Sequence, residues 1–272
     1  MWLVPGKAAL PFSTRLRSKL FVGNILNKGS FLDIMRHLVY LFFFIKVLPG
    51  FSQQNFINVP SMEVTKSKKI FFQQQVNFNE LIQSNTTLDL GLGKGTEVGL
   101  NVLGLNFTDK QKTFFENDTN DRDPYNPLVL LNLLKTLDLS KKVSLGIGAQ
   151  FGLNFDFGRK NSRAGLLYCN LRYTDLFIEN SSIIAGSYYN SLHYGGEGNR
   201  FGYWMGIEMP LTPSVHLIAE SVLGNNALCY SSAGLTYYLK KRYVFTLGAQ
   251  IPNTKKNAYA LVFELTILPK GT

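Results

Sequence analysis

The stretch 142–156, KVSLGIGAQFGLNFD, constrains the fold more than any other part of the chain, because its residues sort into two sets by parity alone. Val143, Leu145, Ile147, Ala149, Phe151, Leu153 and Phe155 fall on one side of an extended backbone. Lys142, Ser144, Gly146, Gly148, Gln150, Gly152, Asn154 and Asp156 fall on the other. A helix would mix the two sets on every face, so this is a strand with one apolar and one small or polar side. At ~13 residues it is longer than the usual globular strand of ~5–6 and fits a tilted membrane-crossing strand of ~9–11 with an overhang. The expectation is an all-β protein, an antiparallel transmembrane β-barrel.

Other segments repeat the pattern. Strands are expected near 69–78, 86–93, 95–106, 128–139, 142–155, 164–174, 181–190, 201–209, 214–222, 229–240, 243–251 and 258–268, about twelve in all, an even number as bacterial barrels require. Phe201, Tyr203, Met205 and Ile207 oppose Gly202, Trp204, Gly206 and Glu208; Tyr259, Leu261, Phe263 and Leu265 oppose Ala260, Val262 and Glu264. The joints between strands offer an independent check. Those at 79–85, 107–127, 156–163, 190–200, 223–228 and 252–257 are mostly long and polar, while 94, 140–141, 175–180, 210–213 and 241–242 are short. Strict alternation of long and short is the pattern of an outer-membrane barrel with both termini in the periplasm. Two segments strain the scheme. Residues 129–139 (VLLNLLKTLDL) also fit a helical period, and as a strand they send Lys135 towards lipid unless it snorkels to an interface. Strand three needs a bulge near Leu103 to keep Val98, Leu100 and Val102 on the side of Leu105 and Phe107.

Composition agrees where it discriminates. Charged residues make up 17% of the chain against a typical ~25%, and aromatics reach 13%. The formal charge of +10 would suggest nucleic acid, but Lys7, Arg15, Arg17, Lys19, Lys28, Arg36 and Lys46 all precede residue 53, with Asp33 the only acid there. Little basic excess remains beyond them, and no nucleic-acid partner is expected. Residues 35–52 read as a secretory signal peptide: Arg36 and His37, an apolar core from Leu38 to Ile45, a break at Pro49, then Gly50 and Ser52 at the positions preceding cleavage, with Gln53 as the mature terminus. Residues 1–34 read as an upstream mis-start or disordered extension, with Met35 the true initiator, and an organellar transit peptide as the second choice. Residues 53–68, polar and carrying Pro60, read as a periplasmic lead-in. The barrel would occupy 69–268 and a tail 269–272.

The processing site Gly50-Phe51-Ser52-Gln53-Gln54, with the stretches 57–80 and 88–107, resembles outer-membrane β-barrels of the Bacteroidota type. The latter two also resemble the start of YjbH-like barrels associated with exopolysaccharide secretion. The resemblance implies outer-membrane lipid, the barrel-assembly machinery and an envelope secretion or transport system as partners. The chain departs from the general pattern at its end, where Pro269-Lys270-Gly271-Thr272 replaces a terminal aromatic residue.

Candidate chemistry is sparse. Gly93-Lys94-Gly95-Thr96 lacks the upstream glycine of a phosphate loop and reads as a hairpin turn. Cys169 and Cys229 show no ligand spacing and read as free thiols; neither metal nor cofactor is expected. A rim hydrolase built on Ser191, His193 and Glu197, or on His216 and Glu220, is a third reading without a convincing nucleophile. Parity places Asp89, Glu97, Asp138, Glu208, Glu220 and Glu264 in the lumen, with Arg172 and also Lys142 and Lys240 as candidate bases, and Tyr168, Tyr188, Trp204 and Tyr238 narrowing the bore. Two readings stay open: a small channel with a polar, mildly acidic path, or a plugged structural or adaptor barrel, presenting the loop 107–127 to a partner, in which these acids pair with loop lysines such as Lys110 and Lys112.

Overall fold

Alternating side chains let each strand satisfy its backbone through its neighbours while turning one face out and one in, and closing the sheet removes both edges. The structure, a computed structural model, describes residues 56–79, 82–107, 126–154, 162–240, 242–255 and 257–269. The strands are β1 (Ile70–Phe78), β2 (Ile82–Gly93), β3 (Thr96–Asn106), β4 (Leu128–Asp138), β5 (Val143–Asn154), β6 (Arg163–Thr174), β7 (Ser182–Asn190), β8 (Phe201–Thr212), β9 (Val215–Leu223), β10 (Tyr230–Leu239), β11 (Tyr243–Pro252) and β12 (Ala260–Ile267). Every neighbouring pair is antiparallel, and β1 pairs with β12 from Phe72↔Ile267 to Phe78↔Leu261, so the twelve strands form a closed barrel. The expected fold is the observed one.

The outer face carries the apolar parity: Leu131, Leu133, Ile147, Phe151, Leu167, Leu171, Met205, Leu247 and Leu261 are all exposed on the exterior. So broad an apolar surface is suited to lipid rather than water. Strand β4 explains its own ambiguity. Leu131, Leu133 and Leu137 face out while Leu128, Leu130 and Leu134 are buried inside, so both faces are apolar and the alternation is hidden. Lys135 is on the outer parity but near the end of the strand. Its ammonium donates to the Lys94 carbonyl (2.5 Å) and the Thr96 hydroxyl (3.2 Å), which is the snorkelling solution. The bulge in β3 occurs where parity demands it: Ser84 pairs with Leu105 and Thr86 with Val102, leaving Leu103 and Gly104 opposite Asn85. Gly104 takes φ +72°, a conformation that disfavours a Cβ, and its N–H donates to Asn85 Oδ1 at 2.8 Å.

The connections alternate as expected, each joint at one end being longer than its neighbours at the other, but the margins are uneven. One end of the barrel carries 79–81, 107–127, 155–162, 191–200, 224–229 and 253–259; the other carries 94–95, 139–142, 175–181, 213–214 and 240–242. The three longest connections share the first end, the long-loop end. Yet the β1–β2 joint is tight, because Gln83, Ser84 and Asn85 continue the ladder although their side chains are polar. The 175–181 joint is longer than expected for the short-turn end; there the Ser181 hydroxyl donates to the Ile178 carbonyl (2.7 Å) and Asp175 accepts from the Asn180 N–H (2.8 Å). Gly93-Lys94-Gly95 is a tight hairpin with φ of +90°, +51° and +69°.

The expected leader 35–52, the cleavage pair Ser52 and Gln53, residues 1–34 and the lysines at 110 and 112 lie outside the described residues, as does the tail beyond Pro269.

Candidate functional site in the barrel lumen

The stretch expected as a periplasmic lead-in is extended, but it does not hang outside the barrel. From Ile70 at the short-turn end, residues 67 back to 56 run up into the lumen. Phe56, Ile57, Val59 and Met62 are each at most 3% exposed. The strand ladder closes through β1 and β12 without them. They are held instead by lumen-facing side chains of the wall.

The tip of this inner segment is a turn in which the Phe56 N–H donates to the Val59 carbonyl (3.0 Å). That turn directs three successive N–H groups towards Glu220 on β9. Glu220 Oε2 accepts from Ile57 (3.1 Å), Asn58 (3.0 Å) and Val59 (2.9 Å), and Oε1 accepts from the Asn58 N–H (3.0 Å) and Nδ2 (2.7 Å). A carboxylate seated on consecutive backbone N–H groups is an anion nest, here with the anion supplied by the wall. Further down, Asn170 Nδ2 on β6 donates to the Pro60 carbonyl (3.1 Å), and its Oδ1 accepts from Trp204 Nε1 (2.6 Å). Gln250 on β11 donates to Asn58 Oδ1 (3.1 Å). Arg172 pairs with Glu63, and Glu97 Oε2 accepts the Thr65 N–H at 2.8 Å. At the mouth, the Lys68 N–H donates to the Gly91 carbonyl, and the Gly91 N–H to the Lys69 carbonyl.

Apolar contacts complete the seat. Three wall glycines on the inward parity face the knobs of the segment. A Cβ on Gly206 would stand 2.6 Å from the Phe56 ring, one on Gly146 2.8 Å from Met62 Cε, and one on Gly248 2.9 Å from Ile57 Cδ1. Beyond them the wall contributes Leu128, Leu130, Leu166, Ile184, Ile218 and Val222 to the same buried cluster. Tyr188 stacks on Trp204 with centroids 4.9 Å apart, and Tyr168 lies 5.7 Å from Trp204 at a tilt. Nearer the long-loop end a one-turn helix, α1 (Leu192–Gly195), brings Tyr194 into this cluster, where its hydroxyl donates to Gln150 Oε1 at 2.7 Å.

The candidate lumen residues divide as follows. Asp89, Glu97, Glu208, Glu220 and Glu264 are buried in the interior, each at most 5% exposed. Asp89 accepts from Asn132 Nδ2 (3.1 Å). Glu208 meets His216 Nδ1 at 2.6 Å and accepts from the Tyr238 hydroxyl at 3.0 Å, a compact carboxylate–imidazole–phenol group near the short-turn end. Glu264 lies beside Thr266, whose hydroxyl is 3.4 Å away. Asp138 departs from the expectation: it is exposed at the end of β4 and accepts from the Ser144 hydroxyl (2.8 Å). Lys142 and Lys240 likewise sit exposed at turns. Tyr168, Tyr188, Trp204 and Tyr238 are all buried inside.

The structure therefore gives Glu220 and Glu97 main-chain partners, while the loop lysines expected to pair with the lumen acids lie outside the described residues. It also fills the expected polar path with the inner segment and an apolar cluster. Of the hydrolase candidates, Ser191 is the N-cap residue of the short helix that carries His193. Ser191 Oγ accepts the Gly165 N–H (2.9 Å), while His216 and Glu220 have separate partners. The sequence reading passed over Asn170, Gln250 and the three wall glycines, all on the inward parity, and over the inner segment itself.

No protein-family model matches the chain, and no curated protein matches it. Among solved structures, one described as a KdgM porin in complex with disordered oligogalacturonate is similar, with a TM-score of 0.50 and 7% identity, covering 72% of this chain and 98% of that one. At that identity the likeness is one of fold, a porin-like β-barrel.

Proposed function

We propose that the chain is an outer-membrane channel whose own N-terminal segment closes its lumen. The observation that carries this is the placement of residues 56–67 inside a barrel that is complete without them, hung on side chains of Glu220, Asn170, Arg172 and Glu97. A segment that belonged to the sheet would be locked by ladder bonds. This one meets the wall main chain at the mouth, in the Ser67↔Gly91 bridge, and farther in hangs on lumen-facing side chains, so it can withdraw through the short-turn mouth with residues 66–69 as the hinge.

The apolar exterior, the even strand count and the crowding of the longest loops at one end support a bacterial outer membrane, with both ends of the barrel chain on the periplasmic side. Cleavage between Ser52 and Gln53 would make the docked segment the first part of the mature protein. Partners consistent with this are outer-membrane lipid, the barrel-assembly machinery and an envelope secretion or transport system, the last of which the resemblance to YjbH-like and Bacteroidota-type barrels also suggests. The packing of the lumen supports a second reading, a permanently plugged structural or adaptor barrel.

Conductance in planar bilayers separates the two. The channel reading expects near-silence from the intact chain and steady current when the segment is destabilised by Glu220→Gln together with Gly206→Val. No current from either form would leave the structural barrel.

A further inference from the structure

We infer that the lumen wall is a binding site for an extended peptide, filled here by residues 56–65 of the same chain and able to take a free peptide of the same chemistry once that segment has left.

The contacts are those by which proteins recognise a peptide main chain. Glu220 accepts three successive N–H groups, Glu97 accepts a fourth at Thr65, and Asn170 donates to a carbonyl at Pro60. These bonds follow the backbone and do not depend on which side chains the peptide carries. Side-chain preference comes from elsewhere: recesses at Gly206, Gly248 and Gly146 that seat an aromatic ring, an aliphatic chain and a thioether, and Arg172 facing the acid at Glu63. The fitting ligand is a peptide with a tight apolar turn at its tip, a proline just after it and an acid three positions beyond the proline.

Two features separate such a site from an ordinary core. The wall residues come from β3, β5, β6, β8, β9 and β11, so the site is spread around the barrel and survives loss of its occupant as long as the ladder does. The occupant contributes N–H groups and knobs, and the wall contributes acceptors and holes, a complementarity that does not require the two to be one chain. The inference deepens the closed-channel reading and rests on it only where current is the readout.

To test it, the full chain carries a specific protease site in place of residues 67–69, is folded intact into detergent micelles, and is then cut and washed. A fluorescent peptide of residues 55–66 is titrated in, and anisotropy is recorded. Saturable binding is expected, a scrambled peptide should not compete, and Glu220→Gln should weaken binding about tenfold or more, since it removes charge-assisted bonds. If the cut segment stays bound through size-exclusion chromatography and is released by Glu220→Gln, that is binding without a covalent tether and supports the same conclusion. No saturable binding to washed protein, or equal binding of the scrambled peptide, overturns it. Peptide block of current is measured on the same cut protein. Binding with no current in any form would sink the channel reading alone; current with no peptide binding would sink this inference alone.

Discussion

Glu220→Gln is the sharpest single perturbation, because the change keeps the shape of the side chain and alters only charge and donor pattern. If the carboxamide oxygen takes the place of Oε2, it still faces the N–H groups of Ile57, Asn58 and Val59. Those bonds become neutral, and a charge-assisted bond is roughly twice as strong as a neutral one, so each loses about 1 kcal/mol. The new NH2 then occupies the place of Oε1, which had accepted from the Asn58 N–H and Nδ2, and donors face donors. Water reaching the loosened turn recovers part of the loss. A net weakening of docking of about 2–4 kcal/mol raises the undocked population about 30- to 1000-fold, at about 1.4 kcal/mol per factor of ten.

The readout is the rate at which a water-soluble maleimide modifies a cysteine placed at Ser61, which is 2% exposed when docked. A Cys169→Ser background removes the exposed native thiol, while Cys229 is buried. When docking is fast relative to modification, the rate follows the undocked population, so the same 30- to 1000-fold rise is expected. The thermal transition of the barrel should stay nearly unchanged, because the strand ladder closes through β1 and β12 and the segment meets it at the mouth, in the Ser67↔Gly91 bridge. A rise smaller than about threefold would refute the claim that Glu220 holds the turn. Parallel loss of barrel stability would refute the claim that the segment is separable.

Gly206→Val should drive Phe56 from its recess at a cost of about 1–3 kcal/mol of overpacking, seen as faster modification at position 61, and adding Phe56→Ala should cancel most of it. Leu133→Lys, at the centre of the outer face of β4, should cost about 2–4 kcal/mol in urea titrations of folding into vesicles, whereas Leu137→Lys near the short-turn end should cost about 0–1; equal costs would contradict the proposed lipid band. Arg172→Met should change docking by less than about 1 kcal/mol, and salt should erase that difference, because the Arg172–Glu63 pair is partly exposed.

The barrel was legible because its rule acts on every second residue and needs no distant partner to be seen. Even the Leu103–Gly104 bulge could be read, since a single extra residue reverses parity from Val102 to Leu105. Joint lengths were less legible: Gln83, Ser84 and Asn85 looked like loop, but ladder bonds belong to the backbone and form under polar side chains as well. Strand β4 was ambiguous for the opposite reason, being apolar on both faces, one towards lipid and one towards the lumen cluster. The inward acids were visible from parity, Asp138 excepted, because at the end of a strand inward direction no longer means burial. What parity could not give was their partners. An N–H group is carried by every residue but proline, so a carboxylate that binds main chain leaves no mark on the sequence of what it binds. The inner segment was hidden for a related reason. Its apolar residues, Phe56, Ile57, Val59 and Met62, follow no strand or helix period, since the recesses that seat them are placed by separate strands, β5, β8 and β11 among them.

This division between what the wall shows and what it holds bears on why acids line the lumen at all. A buried carboxylate without a partner is costly, and here the partner of Glu220 is a set of N–H groups that lie in the lumen only while the segment is docked. The segment in turn carries polar backbone that could not enter an apolar bore without acceptors waiting for it. Each makes the other's burial tolerable, so docking is close to all-or-none at the turn. Once the segment leaves, Glu220 and Glu97 must be hydrated, and their charge then faces whatever fills the lumen. On the closed-channel reading, the same two carboxylates that hold the barrel shut become negative wall charges when it opens, so that closure and preference for cations are properties of one set of atoms.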